Sequence, residues 1–156
     1  MRGAGHAVSL GVDIDTDVVI AGRYLRTKDR SIWAAHVFED LDPALAPRLS
    51  GAVIVAGRNF GCGSSREQAA IALKEAGVVA VVAPSFARIF FRNAINIGLP
   101  LIEADLSSPD GTMVRFDLES GWVETGGNRS PVRPLSPRML DILRAGGLVE
   151  YWKVKR

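Results

Sequence analysis

The residues of this chain that are best suited to chemistry lie in one stretch, GRNFGCGSSREQAAIAL, from Gly57 to Leu73. Glycines at 57, 61 and 63 lead into Ser64, Ser65, Arg66 and Glu67, and an alanine-rich apolar run follows. A loop that leaves a buried strand and enters a helix exposes backbone N–H groups, which together with the helix dipole favour a phosphate or carboxylate. Glycines let the backbone approach such a ligand closely. Serine hydroxyls add donors, and an arginine offers a bidentate grip on a carboxylate. Ser64, Ser65 and Arg66 therefore suit an anionic substrate. A serine among such donors has its alkoxide stabilised and is able to act as a proton base. The same spacing also describes a plain helix N-cap, and the pattern alone does not separate the two. The loop ends in neither GKS nor GKT, and it is not a G-x-S-x-G elbow.

The elements that must carry this loop are legible on both sides of it. GAVIVA, Gly51 to Ala56, reads as a buried strand. A helix over about residues 66–76 is expected, capped by Ser64 or Ser65 and closed by Gly77. VVAVVA, Val78 to Ala83, reads as a second strand, Phe86 to Ile97 as a helix opened by Pro84 and Ser85 and closed by Gly98, and Leu99 to Ile102 as a third strand. Strand, helix, strand, helix, strand implies parallel pairing through helical crossovers. Upstream, Val8 to Val12 reads as a short strand, and Ile32 to Asp40 as a helix with Trp33, His36 and Val37 at helical spacing. Downstream, Thr112 to Asp117 and Trp122 to Glu124 read as strands around the turn at Glu119 to Gly121. Residues 126–134 read as a loop. Ser136 is placed to cap a last helix from Pro137 to Ala145, ended by Gly146 and Gly147.

The chain has 156 residues, of which 47% are apolar and 23% charged, which suggests one globular domain over 1–156 that needs no disulfide or metal staple. Net charge is +2, with Lys and Arg scattered among 17 acids, and only the tail from Lys153 is locally basic. That is not the clustered footprint of a nucleic-acid binder. No run approaches the roughly 20 apolar residues of a membrane span. The lone Cys62 has no internal disulfide partner, which fits a cytoplasmic protein. It cannot by itself hold a cluster that needs several thiolates, and neither His6 nor His36 lies in a motif that would make it a nucleophile's base. Cys62 is therefore read as structural, with some reactivity expected from the lowering of thiol pKa at helix N-termini. No metal site is expected: Asp13, Asp15 and Asp17 lack the glycine and later glutamate of an EF-hand, and Asp13 and Asp15 are read as turn and cap residues.

Three separated motifs together resemble one family. DIDTDVVIAGRYL, then GRNFGCGSSREQAA with APSFARIFFRNAINIGLPLI, and last GLVEYWK, in this order over nearly the full length, are similar to the small subunits of 3-isopropylmalate dehydratases and homoaconitases, and so to the mobile C-terminal domain of aconitase. The resemblance implies an α/β fold, a swivelling β/β/α domain with a partly parallel strand-helix-strand core. It implies a hydro-lyase that moves a hydroxyl between neighbouring carbons by dehydration and rehydration. It implies a large partner subunit that carries a 4Fe-4S cluster on its own cysteines, with no cofactor bound by this chain. By the same resemblance Ser64 is the alkoxide base, Ser65 and Arg66 hold substrate carboxylate, and Asp17 supports the site by pairing with a histidine of the partner. Ser85 and Arg88 match a segment beside the substrate.

The loop YLRTKD, Tyr24 to Asp29, matches the segment that meets the variable part of the substrate in this family. An apolar residue there suits isopropylmalate. Arg26 suits a tricarboxylate of homocitrate type, because an unmatched buried charge is costly. Arg26 pointing to solvent or pairing with Asp29 is the bland alternative. Stand-alone small subunits more commonly serve the leucine pathway, so 3-isopropylmalate dehydratase is the expected activity, with homoaconitase its rival. Two other classes are weighed. A non-catalytic RNA-binding module would need a basic stripe, and a stand-alone serine hydrolase would need a histidine and an acid within reach of Ser64. An isolated half-site of this kind would also expose apolar surface through which it could form a homodimer.

Overall fold

The computed structural model describes residues 1–155. Its centre is a seven-stranded mixed sheet in the order β4-β3-β2-β1-β5-β6-β7. The parallel half is β1 (Arg2–Ser9), β2 (Ala52–Val55), β3 (Ala80–Ala83) and β4 (Leu101–Glu103), and the antiparallel half adds β5 (Met113–Asp117), β6 (Trp122–Thr125) and β7 (Asn128–Pro131) to the other edge of β1. The expected crossover unit is present, with α3 (Glu67–Glu75) between β2 and β3 and α4 (Arg88–Asn96) between β3 and β4. β2 and β3 are buried at every position. That is why they read as continuous apolar runs, as strands covered on both faces do. Alternate residues feed two cores: Ile54 and Val81 meet Leu73 and Phe90 on one face, and Val53, Val55 and Val82 meet Ile142 and Leu143 on the other. Ile142 and Leu143 belong to α5 (Pro137–Ala145), which Ser136 caps by accepting from the Met139 N–H at 3.2 Å and which Gly146 ends in the left-handed conformation.

Three expectations are corrected. The first strand is not Val8–Val12 but Arg2–Ser9. Its apolar signal is confined to its end because Gly3 lies where a Cβ would come within 2.3 Å of the Phe116 ring of β5. A glycine in a strand marks such close approach. The helix expected over Ile32–Asp40 is α2 (Arg30–Ala35) only. Buried Phe38 takes φ 60° and gives its N–H to the Val19 carbonyl at 2.9 Å, which turns the chain out of the helix. The loop at 126–134 contains the strand β7, and DIDTDVV contains a one-turn helix, α1 (Thr16–Val19). The last motif, GLVEYWK, forms most of α6 (Leu148–Lys155). Among the described residues no helix is long and apolar enough to cross a membrane.

Candidate active site

Three loops leave the C-terminal ends of the adjacent parallel strands β1, β2 and β3 and meet at one edge of the sheet. Backbone hydrogen bonds carry the pairing past the strands. The N–H of Gly61 meets the Ile14 carbonyl and that of Thr16 the Cys62 carbonyl, both at 2.8 Å, while Phe60 donates its N–H to the Ser85 carbonyl at 3.1 Å and accepts from the Ala87 N–H at 2.9 Å. Open α/β sheets bind ligands in this crevice, outside the carboxyl ends of strands and where strand order changes direction. Here β1 is that point, with parallel neighbours on one side and antiparallel on the other.

Two glycines make the close packing possible. Gly61 has φ 84°, and a Cβ on it would lie 2.3 Å from the ring of Phe90, which is 2% exposed. Gly63 has φ 92°, and a Cβ there would lie 2.4 Å from the Asp15 carboxylate. Asp15 caps α1 by accepting from the Asp17 N–H at 2.8 Å, and Asp13 accepts from Asn59 Nδ2 at 3.0 Å, so both act as turn and cap residues. Asp17 is thereby presented to the glycine-rich loop. Its Oδ1 accepts the Ser64 hydroxyl at 3.1 Å and lies 3.2 Å from Arg66 Nη1. Arg66 Nη1 also donates to the Ile20 carbonyl at 3.2 Å. Buried Thr16 donates to the Ser64 carbonyl at 2.8 Å and has its hydroxyl 3.3 Å from that of Ser64. Thr16 was not singled out from the sequence. Its only signal there is its place immediately before Asp17.

Neither serine caps α3, contrary to expectation: the N-cap is Arg66, with no side-chain bond. The pairing of the loop to Asp15 and Thr16 turns Ser64 toward Asp17 instead of along the helix. The first N–H groups of α3 lack intrahelical partners and remain available as donors. Next to this helix start lies a cleft of about 170 Å³ lined by Thr16, Ser64, Ser65, Arg66, Arg88 and Asn93 among others. Ser65 and Arg88 thus share the cleft with Ser64 and Arg66. Ser85 does not line it, and its hydroxyl accepts from the Asn59 N–H at 2.9 Å. Arg26 is exposed in the turn after the 3-10 helix Gly22–Tyr24 and is also outside that lining, while Asp29 caps α2 by accepting from Ser31.

Electrostatics put Ser64 between opposing influences. The Asp17 carboxylate disfavours an alkoxide beside it, and the Arg66 guanidinium and helix donors favour one. Cys62 runs against expectation. Burial, then the charges of Asp15 and Asp13, push its thiol above the ordinary value, and these outweigh any helix effect. His6 meets the Arg48 carbonyl at 3.0 Å, and His36 meets Glu39, so neither histidine serves Ser64, and the hydrolase reading has no base.

The fold is an α/β domain that gathers a serine and two arginines, Ser64, Arg66 and Arg88, in one cleft at the carboxyl edge of its parallel strands. The chain belongs to the family of the aconitase C-terminal domain, whose profile matches residues 13–105. It is 52% identical to the methanogen homoaconitase small subunit of Methanothermobacter thermautotrophicus, over 95% of this chain and 89% of that one. It is 51% identical to the 3-isopropylmalate dehydratase small subunit of Pyrobaculum aerophilum, with both chains covered in full. The crystal structure of a 3-isopropylmalate dehydratase from Methanocaldococcus jannaschii superposes with a TM-score of 0.92 at 44% identity, covering 99% of this chain and 95% of that one.

Proposed function

We propose that this chain is the small subunit of a two-subunit hydro-lyase, a 3-isopropylmalate dehydratase that interconverts 2- and 3-isopropylmalate in the cytoplasm. The observation that carries the reading is the Ser64–Asp17–Arg66 constellation at a carboxylate-sized cleft. Ser64 Oγ, as the base, takes a proton from the substrate carbon next to a carboxylate. The C–O bond on the neighbouring carbon breaks with its electron pair on oxygen, the hydroxide takes a proton from solvent and leaves as water, and water adds back across the double bond in the opposite sense. A positioned base of this kind contributes about 10²–10⁴-fold. Arg66, Ser65 and the α3 N–H groups hold the carboxylate, with Arg88 from α4 opposite and Ser85 supporting the loop. Asp17 orients Ser64 and awaits a group from the partner.

The donors of this chain do not fit a 4Fe-4S cluster. It has one cysteine, whose thiol is pushed up by burial, and no group of three metal-ligating side chains is found among the described residues. In this reading the cluster belongs to the large subunit, which also closes the cleft. A second reading, homoaconitase, rests on Arg26, an exposed cation two residues beyond the Gly22–Tyr24 turn that abuts the site. The test is to assemble the chain with its cognate large subunit under anaerobic conditions and compare isopropylmalate with cis-homoaconitate. Turnover of isopropylmalate alone supports the first reading. Preference for the tricarboxylate supports the second, and turnover of neither refutes both.

A further inference from the structure

The cleft has two walls. One is the glycine-rich loop with Ser64, Ser65 and Arg66, and the other is the start of α4, where Arg88, Ile89 and Asn93 line the same space. The core fixes this second wall. Ala87, the N-cap of α4, gives its N–H to the Phe60 carbonyl at 2.9 Å. Phe90 packs on Phe60 and over the bare backbone of Gly61, and Ala94, one turn further on, is fully buried. Residues four apart share a face of a helix. Phe90 and Ala94 therefore form the buried stripe of α4, and Ile89 and Asn93 form the stripe beside it that borders the cleft.

The polar groups of the cleft differ in what the fold has already asked of them. Thr16 donates to the Ser64 carbonyl, Ser64 to Asp17, and Arg66 to the Ile20 carbonyl. Asn93 is half-buried, yet its carboxamide makes no hydrogen bond among the described residues. It does not turn back to a backbone carbonyl of its own helix, as short polar side chains within helices can. Nor is it a sealed orphan: no buried side-chain nitrogen or oxygen among the described residues lacks a partner, so its polar atoms are open on the face that lines the cleft. Asparagine is also a weaker helix former than alanine, so α4 gains no local stability from it.

The neighbours of Asn93 say what it would meet. Arg66 and Arg88 line the cleft from its two walls, and Arg88 makes no ion pair among the described residues. A guanidinium offers donors only, so the pair calls for an anion between the loop and α4. Asn93 adds a short, neutral donor on the rigid wall. We propose that Asn93 is a further substrate-binding residue, whose carboxamide NH2 donates to the carboxylate that Ser65 and Arg66 grip from the loop side. The inference rests on the hydro-lyase reading above. Asn93 moves no proton, so it binds substrate and transition state alike.

The experiment uses Asn93→Ala and Asn93→Asp in the full chain, assembled with saturating cognate large subunit and assayed on 3-isopropylmalate and cis-homoaconitate. Loss of uniform binding raises KM and leaves kcat near wild type. Asn93→Ala raises KM for the better substrate about tenfold, the scale of one hydrogen bond to a charged group. Asn93→Asp keeps the shape but sets an acceptor-only charge against a carboxylate, and raises KM about a hundredfold. The isolated Asn93→Ala chain melts at or slightly above wild type, because alanine is the better helix former and no internal bond is lost. Unchanged KM in both variants, or Asn93→Asp no worse than Asn93→Ala, overturns the inference. So does a fall in melting temperature of Asn93→Ala, which would make the side chain part of the scaffold. A greater need for large subunit with KM unchanged at saturation also overturns it, by assigning Asn93 to the partner interface. A wild-type complex that turns over no hydroxy acid refutes the hydro-lyase reading and the inference with it, whereas an active wild type with unaffected variants refutes the role of Asn93 alone.

Discussion

Gly61→Ala tests whether the active-site loop is seated on the core as the geometry requires. Gly61 has φ 84°, and a Cβ there would stand 2.3 Å from Cγ of Phe90. Phe90 cannot easily yield, being 2% exposed and packed on Phe60 with ring centroids 5.4 Å apart. The left-handed backbone costs an alanine about 1–2 kcal/mol. Forcing a methyl into a filled site costs about 1–3 kcal/mol more. The total of about 2–5 kcal/mol is a large share of the about 5–15 kcal/mol of a typical domain. For a chain of this size it corresponds to a fall in Tm of about 5–15 °C. Gly111→Ala is the control. It has φ 81° but nothing within 4 Å of the added Cβ, so only the backbone cost applies, about 3–6 °C. Thermal unfolding of the two isolated variants, followed by circular dichroism, reads the difference directly. Equal melting temperatures would refute the reasoning, since they would mean that Phe90 does not restrain the loop that carries Ser64.

Ser64→Ala should lower kcat by about 10²–10⁴-fold and leave melting and assembly with the large subunit intact, because the hydroxyl is exposed and bonds only Asp17 and Thr16; full activity would remove the serine from the role of base. Arg66→Lys should mainly raise KM, because Nη1 is engaged with Asp17 and the Ile20 carbonyl and an ammonium has no second planar donor edge to offer a carboxylate; steady-state kinetics separate this from a loss in kcat. Cys62 should react with iodoacetamide more slowly at neutral pH than a free thiol, and the rate should climb only at higher pH, because burial and Asp15 hold its pKa up; fast labelling at pH 7 would contradict this. Asp117 accepts the N–H groups of Glu119 and Ser120 and pairs with Arg2 at 2.9 Å, which hold its carboxyl below the usual range. A depressed folded value means that its contribution is present at neutral pH and is lost as pH falls below about 4 toward that value. Asp117→Asn should therefore destabilise the chain at pH 7 and lose most of its effect in strong acid, as denaturant melts at the two pH values would register.

The parallel unit from β2 to β4 was legible because its evidence is local. Continuous β-branched runs such as Val53–Val55, punctuated by Gly51, Gly77 and Gly98, state burial and boundary within a few residues. The glycine-rich loop was legible in the same way, as a set of donors before a helix. What was missed lay where a partner distant in sequence decides. β1 is a strand from Arg2 because β2 and β5 flank it, and the exposed, polar NRSP of β7 is a strand because β6 offers it an edge.

The sequence by itself determined the kind of chemistry on offer: a serine, an arginine and helix donors on one loop, in a chain with too few thiols for a cluster. Only the tertiary structure decided how those groups act. It brought Asp17 to Ser64 across 47 positions, turned the serine away from capping α3, raised the Cys62 thiol, and left Arg26 exposed outside the cleft. The reason is physical. Periodicity and turn chemistry act between neighbours along the chain, whereas hydrogen-bond partners, pKa values and the direction of a side chain depend on which atoms the packed sheet places within a few ångströms.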